Sequence, residues 1–267
     1  NPPTQEQKQL IAREFNLSET VIVHESKGSS RKIDIFIPEA ELPFAGHPTV
    51  GTAVSLLKDG VTELVTKAGP IAIETEGQNF VKAEIPHNVR LHRNTLDAAE
   101  EKSRPGYLSS VDEIQKAELA APIFSIVKGM AFSLIKLPSL EMLGKVECSV
   151  GTFSEKILDD GWQEGIIGRL YYVEQKSDDE KVVKLRTRMV LIAFEDPATG
   201  SASCALASYL MLHGRRNDGK TRFELTQGLE MGRQSDIVVE VTKKDGAIDT
   251  VSLAGTATQV MRGYVTV

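Results

Sequence analysis

The chain has 267 residues, 41% of them hydrophobic and 25% charged, with a formal net charge of −6. That is enough apolar material for a sizeable core in one or two domains, and the acidic balance gives no basic field for nucleic acid or an anionic membrane surface. Cys148 and Cys204 are too few for a secreted disulfide framework and are not spaced as a metal or redox pair, no apolar run is long enough to span a bilayer, and the polar residues 1–9 do not read as a signal peptide, so a soluble cytoplasmic protein is expected.

Thr4 followed by Gln7 makes a capping-box pattern, and Leu10, Ile11, Glu14 and Phe15 keep helical spacing, which predicts a helix over residues 5–15 that stops at Asn16-Leu17-Ser18. Strands are predicted for the β-branched Thr20–Val23 and for residues 32–37, where Ile33, Ile35 and Ile37 share one face and Pro38 follows. The small and apolar residues 49–57 read as a buried helix closed by Lys58-Asp59-Gly60, and strand-like segments follow near Leu64, at 71–76 and at 80–85. Residues 86–112 are polar, contain Pro105-Gly106, and read as the crossing between two halves.

The second half opens near Pro122 with apolar segments at Ile123–Val127 and 131–137; strands are predicted at 166–173 and 184–194, with a short helix at 140–143 and a charged turn around Asp178, Asp179 and Glu180. A helix over 202–212 ends at His213-Gly214. Strands then follow around 223–225, 237–241, 251–253 and 257–267.

One loop occurs twice. Glu41-Leu42-Pro43-Phe44-Ala45-Gly46-His47 and Glu195-Asp196-Pro197-Ala198-Thr199-Gly200-Ser201 share Glu-x-Pro-x-x-Gly followed by a polar residue, more than half the chain length apart. Gly228 also sits after a short strand much as Gly69 does in the first half. The repeat predicts an α+β fold of two similar lobes, each a curled mixed or antiparallel sheet around a central helix, over 1–112 and 113–267, with the last strand free to pack back on the first lobe.

A proline turn, a glycine and a following helix point free backbone N–H groups into a concavity, which attracts anions. Two such corners could hold a carboxylate and stabilise charge developing beside it. The ordinary alternatives are a packed turn for each loop, a surface or structural role for His47, a turn or cap for Asp196, an N-cap for Ser201 and an exposed turn charge for Glu19. No P-loop, dinucleotide fingerprint, zinc-ligand spacing or Gly-x-Ser-x-Gly elbow occurs, so neither metal nor cofactor is expected.

With Asn16-Leu17-Ser18-Glu19-Thr20, the two loops, the continuation Pro48-Thr49-Val50-Gly51, and Gln227-Gly228-Leu229-Glu230-Met231-Gly232-Arg233, the chain resembles the PhzF-like phenazine-biosynthesis family, relatives of diaminopimelate epimerase, along nearly its whole length. The resemblance implies an epimerase-type fold with its active site in a cleft between lobes. It also implies a cofactor-independent isomerase in which Glu19 shifts a proton on a small carboxylate-bearing substrate, assisted by His47, Asp196 and Ser201, with Gly46, Thr199 and Gly200 in substrate binding. The related epimerases use one cysteine from each loop, whereas these loops carry Ala45 and Pro197, which argues against two-thiol racemisation. Family members also begin with a strand and a Gly-Asn-Pro turn ahead of the first helix, where Asn1-Pro2 here runs directly into Pro3-Thr4. The competing readings are a Ser201, His47 and Asp196 hydrolase and a non-catalytic carboxylate-binding protein. Homodimerisation suits such a fold, and no sequence feature decides it.

Overall fold

The first helix begins where the capping box places it. In α1 (Gln5–Phe15) the Gln7 N–H donates to Thr4 Oγ1 at 3.3 Å, the Thr4 N–H donates to Gln7 Oε1 at 2.8 Å, and left-handed Asn16 closes the other end. The computed structural model describes residues 2–25, 28–76, 79–191, 194–214 and 216–264. Within it the chain divides into two units, Asn1–Pro86 with Leu253–Val267, and His87–Ser252.

The first unit continues with β1 (Thr20–Val23), β2 (Ser30–Phe36), β3 (Glu41–Leu42), α2 (Gly46–Ser55), β4 (Glu63–Thr66), β5 (Gly69–Glu76) and β6 (Phe80–Glu84). Its sheet runs β1-β2-β4-β5-β6 with β3 attached to β2; β2 and β4 are parallel and the other pairs for which register is given are antiparallel. α2 buries Thr49, Val50 and Ala53 and packs on β6 and β1. α1 lies against β1 and β2. There it buries Asp34 on the face of β2 that alternation would expose: Lys8 Nζ meets Asp34 Oδ2 at 2.5 Å and His24 Nε2 meets it at 2.7 Å. Burial alone would raise this carboxyl, but the bonds to Lys8 and His24 outweigh it and hold Asp34 below the usual carboxylate range.

The second unit contains β7 (Arg90–Leu91), α3 (Asp112–Ala120), β8 (Ile123–Val127), β9 (Met130–Lys136), α4 (Leu140–Gly144), β10 (Ile166–Gln175), β11 (Val182–Leu191), β12 (Phe194–Asp196), α5 (Gly200–His213), β13 (Gly219–Gln227) and β14 (Ser235–Lys244). Next comes β15 (Ala247–Thr256), whose residues from Leu253 onward belong to the first unit. The sheet order is β14-β13-β11-β10-β9-β8-β7 with β12 on β11; β9–β10 and β11–β13 are parallel. α5 packs on β14, β8, β9 and β13 and is buried along almost its whole length. A separate apolar cluster holds Ile114 of α3 and Leu143 of α4 against Ile135, Tyr171 and Val190. Helices thus cover much of the sheet, and β9 and β10 read as near-continuous buried runs instead of alternating ones.

The duplication extends to strand pairing. β1 pairs antiparallel with β2 as β10 does with β11, β3 folds back on β2 as β12 does on β11, β2 runs parallel to β4 as β11 does to β13, and β4 pairs with β5 as β13 does with β14.

Three expectations need correction. Residues 87–112 are not a free crossing, so the expected division at 112 lies inside the second unit. Their polar groups bond to buried residues of that unit: Arg90 reaches Asp159, His92 Nε2 meets Ser125 Oγ at 2.9 Å, and Asn94 bonds Ile157 O, while Leu96 and Ala99 join an apolar cluster. Helix α3 was not expected, because its apolar stripe is short and set among charges. The strand predicted at 257–267 is absent over the described part: β15 ends at Thr256, and Val260, Met261 and Tyr264 are exposed, strand-forming residues without a paired neighbour; residues 265–267 lie outside the described residues. Among the described residues no helix is long and apolar enough to cross a membrane.

Candidate active site

Each duplicated loop becomes a strand-to-helix corner. In the first unit, Glu41 pairs across the β2–β3 hairpin with Phe36 and its carboxylate accepts from Gln5 Nε2 and Lys67 Nζ, both at 3.0 Å. The Pro43 carbonyl accepts from Ala68 N–H, and Ala45, with no side chain able to cap, sits at the N-cap of α2. Gly46 and His47 therefore open the helix itself, three residues earlier than the sequence pattern predicts.

His47 points its Nε2 to within 3.0 Å of Glu19 Oε2, and the two side chains retain 37% and 15% of their exposure. Glu19 lies between the left-handed stop of α1 and the start of β1, so the end of one element aims it at the start of another. Its Oε2 is buried and, among the described residues, meets no donor in hydrogen-bond alignment; the approach of His47 is close but off that line. A turn charge by sequence is thus an enclosed carboxylate with an acceptor in reserve.

The second corner interlocks more tightly. Glu195 pairs with Val190 across the β11–β12 hairpin, and its carboxylate takes a two-pronged bond from Arg188, Nε at 2.9 Å and Nη2 at 2.7 Å. Arg188 also donates to Leu143 O, and its bond to Glu195, against the opposing effect of burial, holds the guanidinium proton more tightly than usual. Asp196 folds onto its own corner: Oδ2 accepts the Thr199 hydroxyl at 2.6 Å and Oδ1 the Ala198 N–H at 3.3 Å. Thr199 is the N-cap residue of α5, yet with its hydroxyl on Asp196 it places no side-chain cap on the helix.

Gln227, at the end of β13, clamps the same corner, donating to Asp196 O at 2.7 Å and Thr199 Oγ1 at 2.9 Å. Gly228 follows with φ of +76°, and a Cβ there would lie 2.4 Å from Arg233 O and 2.9 Å from Pro197 O. No residue but glycine fits against the proline turn. Ser201, second in α5, is 4% exposed.

The corners match atom for atom at their helix starts. Thr49 Oγ1 donates to Ala45 O at 2.7 Å, as Ser203 Oγ donates to Thr199 O at 2.9 Å. Both helices begin at glycine, Gly46 and Gly200, and neither start is capped by a side chain. Their first-turn N–H groups are the kind that receive an anion.

Within the first unit the structure brings Glu19 and His47 together; within the second it gathers Asp196, Thr199, Gly200 and Ser201 at one helix start. Arg188 and Gln227 were not singled out from sequence. The signal for Gln227 was a lone amide directly before the motif glycine at 228; Arg188 carried none, because a charged residue in a strand ordinarily faces water. Cys204 is fully buried in α5 and burial pushes its thiol up, which does not suit a thiolate base.

The family model of phenazine biosynthesis-like proteins, PhzC-PhzF, matches residues 3–263. The chain is 30% identical to an uncharacterized isomerase of Mesorhizobium japonicum, over 96% of this chain and 87% of that protein. It is 29% identical to a trans-2,3-dihydro-3-hydroxyanthranilate isomerase of Pseudomonas fluorescens, over 99% and 89%. Among solved structures, a predicted epimerase of Pseudomonas aeruginosa superposes with a TM-score of 0.69 at 21% identity, covering 99% of this chain and 89% of that one. A PhzF-family phenazine biosynthesis protein of Bacillus anthracis gives 0.68 at 22% identity, covering 95% and 86%. These likenesses place the α+β fold, mixed sheets with a central helix in each unit, among PhzF and diaminopimelate epimerase-like proteins.

Proposed function

Because the chain belongs to the phenazine biosynthesis-like PhzC-PhzF family, we propose that this isomerase shifts a proton on a small carboxylate-bearing substrate without a cofactor, using Glu19 to take and return it. The observation that carries this reading is the enclosed Glu19 carboxylate, 3.0 Å from His47 Nε2, with its buried Oε2 lacking an aligned donor among the described residues. An acceptor left in that state costs about 1–3 kcal/mol in an ordinary core. A substrate C–H brought to it gives that acceptor a proton to receive.

In this reading Glu19 removes a proton from a carbon made acidic by a neighbouring unsaturated or carboxyl group and delivers it to another carbon of the same system. His47 binds or polarises the substrate beside the carboxylate. The N–H groups at Gly46 in the first unit, and at Gly200 with Thr199 in the second, are each suited to a substrate carboxylate, a helix start being worth about 0.3–1 kcal/mol, or up to about 2 when partly buried. Asp196 and Ser201 orient or relay, which accords with an Asp196 carboxylate already committed to its own corner. The Pseudomonas relative is named for an unsaturated cyclic hydroxy amino acid, and we take that class of ring carboxylate as the substrate class here.

The test is proton NMR in D2O with a panel of cyclic and β-hydroxy amino-acid carboxylates, including trans-2,3-dihydro-3-hydroxyanthranilate. Deuterium incorporation or isomerisation that drops about 10²-fold or more in Glu19→Gln is the expected result. Near-normal turnover of that variant removes Glu19 from the role. Carboxylate binding with no exchange at carbon in the wild type would instead make this a binding protein.

A further inference from the structure

Gln227 donates twice through one nitrogen, and this fixes the direction of the hydrogen bonds beyond it. Its Nε2 lies 2.7 Å from Asp196 O and 2.9 Å from Thr199 Oγ1. A backbone carbonyl can only accept, so the group turned to the corner is the NH2, and Thr199 Oγ1 accepts its second hydrogen. The threonine hydrogen is thereby directed to Asp196 Oδ2, 2.6 Å away, while Oδ1 takes the Ala198 N–H. We propose, resting on the proton-shift reading above, that Gln227 is a positioning residue for that reaction: through the Thr199 hydroxyl it holds Asp196 as an oriented, ionised acceptor. Asp196 then steers the groups beside it and supplies no proton of its own, and the Thr199 hydroxyl serves Asp196 and not the substrate.

Gln227 is fully buried at the end of β13, opposite Thr187 of β11 on one side and Ser235 of β14 on the other, so its backbone is held from both edges. Its Oε1 has no hydrogen-bond partner among the described residues. The amide thus leaves its own acceptor unmet while both its donors stay on the corner. The first unit supplies the contrast. Leu42 stands there where the second loop has Asp196, and Ala68 precedes Gly69 where Gln227 precedes Gly228. The segment after β4 meets that loop through the Ala68 N–H on Pro43 O, at 3.0 Å. The side-chain relay is found at the corner that has a carboxylate to orient.

A protonated Asp196 would turn its hydrogen onto Thr199 Oγ1, which already accepts from Gln227, and would force the threonine hydrogen away from the pair. The relay therefore favours the charged form. The charged groups on the elements around the corner are largely engaged with one another. Arg188 and Arg186 of β11 pair with Glu195 of β12 and with Glu230 of the turn after β13. Arg233 of that turn is exposed, and the first turn of α5 carries no charged side chain. A substrate carboxylate at the start of α5 would add a second negative charge beside Asp196, and like charges so placed drive one of them to take a proton. Donors fixed by Gln227 oppose that uptake at Asp196.

The test labels aspartate carboxyl carbons with 13C and follows Asp196, identified by its absence in Asp196→Asn, by NMR against pH. Gln227→Leu and Thr199→Val should each raise its titration point by about one pH unit, whereas Thr199→Ser, which keeps the hydroxyl, should leave it within about 0.3. With trans-2,3-dihydro-3-hydroxyanthranilate in D2O, Gln227→Leu and Thr199→Val should each lower kcat about tenfold with KM little changed. The double variant should lose no more turnover than Thr199→Val alone, because Gln227 acts through that hydroxyl. An Asp196 titration that stays put in a folded Gln227→Leu overturns the proposal, as do losses of turnover that add in the double variant. Where Gln227→Leu does not fold, Thr199→Val against Thr199→Ser decides in the same terms. A wild-type protein that exchanges no proton at carbon yet shows the titration shifts would remove the isomerase reading and keep Gln227 as the residue that orients Asp196.

Discussion

The two duplicated corners share a hairpin, a proline turn, a glycine-first helix and a back-bonding hydroxyl, and they differ in what holds them. The first is tied from outside, through Glu41 to Gln5 and Lys67, and its helix opens with His47 turned toward Glu19. The second is tied from within, through Glu195 to buried Arg188 and through Gln227 to Asp196 and Thr199. The same local geometry thus serves a corner whose His47 and Glu19 side chains stay partly exposed and a corner whose polar groups are spent on holding shape.

The sharpest way to break that comparison is at the matched glutamates. Glu195→Ala leaves Arg188 buried without its carboxylate and should cost about 3–5 kcal/mol in denaturant unfolding. If the two losses are equal, the corners are not braced differently, because Glu41→Ala removes only partly exposed contacts and should cost under about 1 kcal/mol. Next in size is Glu19→Gln, expected to lower turnover about 10²-fold or more, equivalent to roughly 2.7 kcal/mol, with little change in stability.

Gln227→Ala tests the inner clamp. It leaves the Asp196 carbonyl and Thr199 hydroxyl without their donor, for about 1–3 kcal/mol of stability. An effect on activity with none on unfolding would make Gln227 a substrate contact instead.

Acid should separate the units as well. Burial, partly offset by Asp159, holds His92 of the second unit below its ordinary value of 6.5. The unfolded chain therefore takes up a proton that the folded chain refuses, and stability falls as pH drops below about 6.5 toward the lowered folded value. His213 shifts the same way through burial. In the first unit Asp34 is held below 3.8, so its contribution persists until far lower pH and disappears as its folded value is passed. Denaturant titrations from pH 7 to 5 should show a slope that His92→Gln reduces; an unchanged slope would assign it elsewhere.

Much of this was legible in the sequence where local chemistry acts alone. The capping box of α1 and the strand Thr20–Val23 appear with the expected bounds, and the repeated Glu-x-Pro-x-x-Gly marks both corners. The helix starts came out late by two or three residues because Gly46 and Gly200, read as turn glycines, occupy first helical positions. Segment 87–112 was misread because polarity in sequence does not distinguish a hydrogen bond to water from one to Asp159 or Ser125. At the site, Glu19 was legible only by resemblance: periodicity makes it a turn charge, and its enclosure depends on His47, 28 positions away. Arg188 needed its partner Glu195 to be seen across a hairpin before its burial made sense.

The first unit is discontinuous: it takes its opening 86 residues and then its closing stretch from Leu253 onward, with all of His87–Ser252 inserted between. On a ribosome those opening residues must wait for the whole insertion to be made, roughly 8–33 s at about 5–20 residues per second. At the end of that interval the contiguous second unit has every strand of its own in hand, while β6 still lacks the end of β15, its neighbour in the finished sheet. The order of birth is therefore the reverse of the order of completion, and the unit carrying Glu19 and His47 is the last to close.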